Sequence, residues 1–312
     1  TRSTPLRLNG EAAVPADIDS RFPLLRIEQS PYLPSEPVYS GLVQEALARL
    51  VAERKNPEKL FEAGLEPTRT TLFTGPPGVG KTMAARWLAR ELERPLLILD
   101  LSAVMSSYLG RTGTNLRHVL EFARTVDCVL LLDELDAIAK RRDDSGEIGE
   151  LKRLVTVLLQ QLDDWPSSGL LVAATNHAEL LDPAVWRRFE QPIEFHLPSG
   201  EAINTYLTGL FDQFAPEKGK WIAVLSQAMA GQSFSDIERE VTLARRGAAL
   251  NGQDLDPYLL SLIKLDRLSK QEKIDVAVAL VKNELATQRR AHEVTGVARD
   301  TIRARLNEID SH

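Results

Sequence analysis

Eight consecutive residues, Gly75-Pro76-Pro77-Gly78-Val79-Gly80-Lys81-Thr82, place glycines, a lysine and a hydroxyl at the spacing of a Walker A loop. The short apolar run Thr71-Leu72-Phe73 precedes them, and a stretch of helical periodicity, Thr82 to Glu93, follows. Glycines allow successive backbone N–H groups to turn inward and cradle phosphate oxygens. A helix that starts at the loop aims the positive end of its dipole at the same oxygens. In this pattern Lys81 reaches the β- and γ-phosphates and the Thr82 hydroxyl coordinates magnesium. A glycine-rich turn without a ligand would not require strand, full motif and helix to coincide.

A second element follows, Val129-Leu130-Leu131-Leu132-Asp133-Glu134. An apolar strand here delivers two carboxylates at its carboxyl end, where ligands bind in open α/β sheets. Asp133 is expected to hold magnesium through water and Glu134 to polarise an attacking water. Alone, two acids after an apolar run also read as a solvated strand end. The Walker A loop decides for a phosphoryl-transfer site.

With these motifs in place, the chain from about Val38 to Leu250 resembles the AAA clade of the AAA+ superfamily, of bacterial type. Ala173-Ala174-Thr175-Asn176 is similar to the family's sensor-1 strand end, and Leu181 to Phe189 is similar to its second region of homology. The resemblance implies that Asn176 orients the lytic water and that Arg187 or Arg188 serves as a finger toward a neighbouring subunit. It also places Leu162-Asp163-Asp164-Trp165 at an inter-subunit signalling motif and Ser40-Gly41-Leu42 at an adenine-contacting turn, so that Gly41 joins the nucleotide contacts. Gly231 to Ile237 is similar to the start of the sensor-2 helix. Tyr108-Leu109-Gly110 stands where the family carries the aromatic loop of a central pore, and the aromatic ring offers a rigid contact indifferent to substrate sequence. Residues 141–147 read either as a second pore loop or as a solvated charge run. Two departures stand out. Arg187 and Arg188 are adjacent where the family spaces its two arginines, which leaves open which one is the finger. Phe234-Ser235 replaces the usual Gly-Ala of the lid helix. The resemblance implies ATP and Mg2+ as cofactors, a homo-oligomeric ring, commonly a hexamer, and ATP hydrolysis between subunits coupled to remodelling or threading of a protein.

The elements that must position these residues are legible from patterning. Apolar runs at 71–73, 96–101, 128–132, 170–174 and 193–197 alternate with helical segments. That is the signature of an α/β fold with a P-loop and a five-stranded parallel sheet flanked by helices. Pro5, Pro15, Pro23, Pro31, Pro34 and Pro37 forbid long helices, so residues 1–37 read as an extended arm. Residues 38–198 then form the nucleotide-binding domain. Strand signals stop at Pro198, and residues 199–268 read as a small all-α lid of four helices. Residues 269–312 read as a tri-helical module. Within it, Arg290 to Arg303 resembles a helix-turn-helix of the inversion-stimulation-factor type, with Ala291, Val294, Val297, Ile302 and Leu306 as core and Gly296 as the turn. Arg299 and Arg303 lie one helical turn apart on the second helix. Five arginines face Glu293 and Asp300 between Thr287 and Leu306. Residues 287–306 therefore read either as a DNA-contacting element or as a module for protein contact, and an ATP-dependent DNA-associated factor is the alternative function.

Net charge is -6 over 312 residues, which excludes a whole-protein basic field for nucleic acid. The single Cys128 rules out an intrachain disulfide and suits a reducing compartment. Apolar runs such as Cys128 to Leu132 fall far short of the roughly 20 residues that span a bilayer. No basic segment followed by an apolar one opens the sequence, so the expectation is a cytoplasmic protein with no membrane partner. Neither G-x-S-x-G nor H-E-x-x-H occurs, so no protease signature accompanies the ATPase motifs.

Overall fold

The computed structural model describes residue 15 and residues 24–101, 112–138 and 148–310. The pore-loop candidates Tyr108, Leu109 and Gly110 lie outside the described residues, as do all of residues 141–147. The described chain divides into two compact units, one up to Pro37 and over Gly41–His196, the other over Leu197–His312 with Val38–Ser40.

The first unit is built on six strands: β1 (Arg26–Glu28), β2 (Thr70–Thr74), β3 (Leu96–Asp100), β4 (Val129–Asp133), β5 (Leu170–Thr175) and β6 (Gln191–Glu194). Their order is β1-β3-β4-β5-β2-β6. β2 to β6 pair in parallel, as the five apolar runs imply. Every residue of β2 and β5 is buried, because helices cover both faces of a parallel sheet and leave no polar face to alternate.

β1 is an addition. It comes from the segment expected to be an extended arm and pairs antiparallel with β3, Arg26 opposite Ile98 and Glu28 opposite Leu96. A proline-rich segment still accommodates a three-residue edge strand between its prolines. A bidentate ion pair fastens this edge, Arg86 Nε to Glu28 Oε2 at 2.9 Å and Arg86 Nη2 to Glu28 Oε1 at 3.0 Å.

Around the sheet run α1 (Gly41–Lys55), α2 (Pro57–Glu62), α3 (Lys81–Glu91), α4 (Thr112–Thr125), α5 (Ile148–Asp163) and the short α6 (Pro183–Trp186). Pro57 follows the end of α1, as expected, and also opens α2 at a position where a missing N–H costs nothing. The α3 face toward the sheet carries buried Ala84, Ala85, Leu88 and Ala89, whose small size admits close packing. Cys128 is buried, and burial pushes its thiol up to about 12, so it remains a protonated core residue.

The second unit is all-α: α7 (Gly200–Phe214), α8 (Lys220–Ala228), α9 (Phe234–Asn251), α10 (Asp256–Ser261), α11 (Lys270–Lys282), α12 (Gln288–Thr295) and α13 (Arg299–Asp310). Ser199, Ser233, Ser269 and Thr287 cap α7, α9, α11 and α12 by accepting backbone N–H groups. One apolar core runs through this unit from Ile203 on α7 to Ile302 on α13. The division expected at 268/269 lies inside it, because Val276, Leu280, Ala291 and Ile302 bury in the same cluster as Leu207, Trp221 and Val241. No described helix is long and apolar enough to cross a membrane.

Candidate functional site

Strand register brings the chemistry together. Thr74, the last residue of β2, stands opposite Thr175 of β5, and Leu132 of β4 stands opposite Ala173. The Walker A loop, Asp133 and Asn176 therefore emerge at one edge of the sheet, at the carboxyl ends of adjacent strands.

The loop reaches that edge through two constrained glycines. Gly75 has φ 136°, and a Cβ there would stand 2.0 Å from the Phe195 carbonyl oxygen. The approach is this close because the Phe195 N–H donates to Thr74 O at 2.7 Å just beyond β6. Gly80 has φ 97° and caps α3 in the left-handed region. α3 thus begins at Lys81, with its amino end toward the loop.

Lys81 is buried, and its ammonium donates to Gly75 O at 2.6 Å, Pro76 O at 2.8 Å and Asn176 Oδ1 at 2.8 Å. Three donors meet three oxygens, which uses the full capacity of an ammonium. Burial pushes this ammonium down to about 8, against the opposing pull of Asp133 and Asp136. The Asn176 contact joins two of the residues expected from sequence, one following each strand of the β2–β5 pair.

Thr82 Oγ1 donates to Asp133 Oδ2 at 3.0 Å. A hydroxyl and a carboxylate side by side are hard oxygen donors of the kind magnesium takes while keeping several waters. Among the described residues no group of three or more His, Cys, Asp and Glu forms a metal cage. The donor set therefore fits a cation shared with phosphates and water, with Thr82 and Asp133 as its protein ligands. Glu134 lies in the left-handed region at φ 55°, which is costly for a residue with a Cβ. Its N–H donates to Asp133 Oδ1 at 3.0 Å. This kink ends β4 and starts the turn Leu135–Ile138.

That turn carries a residue absent from the expected set. Asp136 is 2% exposed, and its Oδ1 accepts from Thr175 Oγ1 at 3.2 Å and from the Asn176 N–H at 3.4 Å. The available signal was an acid inside the otherwise apolar Leu135-Asp136-Ala137-Ile138.

Arg187 and Arg188 follow α6. Asp182 caps that helix by accepting the Ala184 N–H at 2.8 Å, and buried Val185 and Phe189 anchor it. Both arginines are exposed, and they differ in partners. Arg188 Nε pairs with Asp163 Oδ1 at 3.1 Å, inside the expected signalling motif. Arg187 has no acidic partner among the described residues. Gly41 opens α1, where a Cβ would meet nothing within 4 Å.

In the helical unit, Phe234 packs against Tyr206 with ring centroids 5.0 Å apart, which gives the departure from Gly-Ala a packing role. Gly296 turns the chain after α12 at φ 73°. Ala291 and Ile302 are fully buried, and Val294, Val297 and Leu306 pack on the same core. Arg299 and Arg303 are exposed on α13. Three of the five arginines nearby are committed locally, Arg289 and Arg290 to Glu293 and Arg305 to Glu308.

Comparison with known proteins agrees with this fold. Residues 71–197 match the family described as "ATPase family associated with various cellular activities (AAA)". The chain is 42% identical over 211 residues to the uncharacterised AAA family ATPase y4kL of Sinorhizobium fredii, covering 66% of this chain and 62% of that protein. It is 33% identical over 194 residues to 26S proteasome regulatory subunit 7 of Caenorhabditis elegans, covering 59% of this chain and 45% of that protein. The chain thus spans less than two thirds of the length of these relatives. The fold is that of the FIGL-1 AAA domain solved in complex with ADP, with a TM-score of 0.62, 21% identity, and coverage of 83% of this chain and 92% of that one.

Gly75→Ala tests the close approach of the loop. Strain alone costs about 1–3 kcal/mol, and the misplaced loop should lose ATP affinity by at least about tenfold. Gly209→Ala, on the exposed face of α7, should instead stabilise by about 0.5–1 kcal/mol and leave affinity unchanged. Thermal melting with and without Mg·ATP reads both; equal affinity in the parent and Gly75→Ala would remove the loop from the site.

Proposed function

We propose, from the match of residues 71–197 to the AAA ATPase family, that the chain hydrolyses ATP with Mg2+ and assembles as a homo-oligomeric ring, a hexamer, that remodels or threads a protein. The observation that carries the reading is the Lys81–Asn176 hydrogen bond beside the Thr82–Asp133 pair. These two contacts gather a phosphate-binding cation, a polar group for water and a metal-binding oxygen pair at one strand edge.

Bound magnesium-ATP supplies the transferable phosphoryl group and a divalent positive charge. Lys81 exchanges backbone and amide oxygens for phosphate oxygens, which satisfy the same three donors. The backbone N–H groups of the loop from Gly75 to Thr82 cradle the remaining phosphate oxygens. Thr82 and Asp133 hold the metal. Glu134 takes up the proton of the attacking water as its oxygen turns toward phosphorus, and the Asn176 amide orients that water. Arg187 is the finger that adds positive charge from a second copy, while Arg188 stays with Asp163 and couples the finger segment to α5. Gly41 contributes at the adenine end. Kinship with a proteasome ATPase supports work on proteins. The DNA-associated alternative draws no support from the named relatives, and most of the basic charge near α13 is paired within the chain.

Two variants separate binding from chemistry. Lys81→Ala should weaken ATP binding by roughly ten- to a hundredfold, the worth of a charge-assisted contact. Glu134→Gln should bind ATP as the parent does and hydrolyse it about 10²–10⁴-fold more slowly, the usual contribution of a general base. Fluorescent-nucleotide titration and phosphate release measure the two effects. Parallel loss of affinity in both variants contradicts the assigned roles.

The work step is tested at Tyr108. Tyr108→Ala should keep most ATP hydrolysis and lose unfolding of a tagged fluorescent protein substrate, whereas Tyr108→Phe should retain it because the ring provides the grip. Unfolding by Tyr108→Ala at the parent's rate would replace threading with a switch-like ring.

A further inference from the structure

Among the carboxylates at the sheet edge, Asp136 is the buried one to which the reaction above gives no task. It is not one of the pair Thr82 and Asp133, which join each other. Its carboxylate instead faces the exit of β5. Oδ1 accepts the Thr175 hydroxyl at 3.2 Å and the Asn176 N–H at 3.4 Å. The Thr175 hydroxyl in turn accepts the His177 N–H at 3.1 Å. Three successive residues, Thr175, Asn176 and His177, are therefore tied directly or through one hydroxyl to one acid, and that acid sits one turn beyond Asp133. The Asn176 side chain meanwhile accepts from Lys81 at 2.8 Å.

We infer that Asp136 is a positioning residue for hydrolysis: it fixes the backbone of Asn176 against the turn after β4, so that the Asn176 amide keeps a set place relative to Asp133, Glu134 and Lys81. Three observations support this. The turn Leu135–Ile138 follows directly from the strained Glu134, so the residue that activates water and the residue that orients it share one anchor. Strand pairing alone leaves the end of β5 free beyond Thr175, because the register of β5 with β2 stops at the pair Thr74–Thr175. A buried carboxylate also needs hydrogen bonds to offset its lost hydration, and two of the donors Asp136 has found belong to the strand end that must be held still.

The inference rests on the ATPase reading, and its test separates the two. Asp136→Ala removes the acceptor, whereas Asp136→Asn keeps an oxygen for the Thr175 hydroxyl and the Asn176 N–H. The supporting result is a kcat for ATP about 10–100-fold lower in Asp136→Ala, the usual cost of losing an outer partner, with KM unchanged and most of the rate restored in Asp136→Asn. Adding Asp136→Ala to Asn176→Ala should slow the single Asn176 variant no further, since one residue acts through the other. Amide hydrogen exchange of the nucleotide-free full chain provides a readout that needs no turnover: Asn176 and His177 should lose protection in Asp136→Ala and keep it in Asp136→Asn. Parent kcat in Asp136→Ala overturns the inference. So do additive effects in the double variant, equal loss of affinity and rate without rescue by Asn, or unchanged exchange at Asn176. A parent chain that releases no phosphate sinks the ATPase reading instead, and the exchange experiment then still decides whether Asp136 holds the strand end.

Discussion

A buried ammonium without oxygen partners is among the costliest groups a fold can contain, and Lys81 is such a group with its partners supplied. Two of its three oxygens come from the backbone at Gly75 and Pro76 and the third from Asn176 on a different strand. That requirement reaches far into the structure. Gly75 must turn at φ 136° against the Phe195 carbonyl, β2 must lie next to β5, and β5 must end level with β2. The same oxygens give the lysine a resting place that phosphate oxygens can replace one for one. Burial lowers the ammonium to about 8 while Asp133 and Asp136 pull the other way, so the site holds its cation between desolvation and attraction.

The charges around that lysine are unequal. Asp133, Glu134 and Asp136 bring three carboxylates to the edge where Lys81 is the one basic side chain joined by the described hydrogen bonds. Such a cluster repels a polyphosphate unless further positive charge arrives. Part comes with the metal that Thr82 and Asp133 are suited to hold. The rest is the kind of charge an arginine from outside the cluster provides, and the exposed Arg187 is suited to act across a boundary between copies. Arg188, held by Asp163, is already committed.

Much of this was legible in the sequence, for identifiable reasons. The Walker A loop, the Asp133-Glu134 pair and the five apolar strands are local patterns whose residues are neighbours along the chain. Register then converts local motifs into one site. What escaped was non-local or weakly patterned. β1 is three residues long among prolines, and its partner lies about seventy residues away. Asp136 looks like an ordinary polar interruption until β5 is placed beside β4. The ion pair that distinguishes Arg188 from Arg187 involves Asp163, which only folding brings near. The shared core of α7–α13 was hidden because helical periodicity shows which face of a helix is buried but not which neighbour covers it.

The central claim is that this strand edge is an ATPase site completed by a second copy, and mixing two inactive chains tests it most directly. Arg187→Ala lacks the charge delivered to a neighbour but keeps its own Glu134, whereas Glu134→Gln lacks water activation but keeps Arg187. Co-assembled at varied ratios, the two should release phosphate from ATP well above either alone, with a maximum at intermediate mixing. Mixtures that co-assemble by light scattering yet stay as inactive as their components at every ratio would contradict the account.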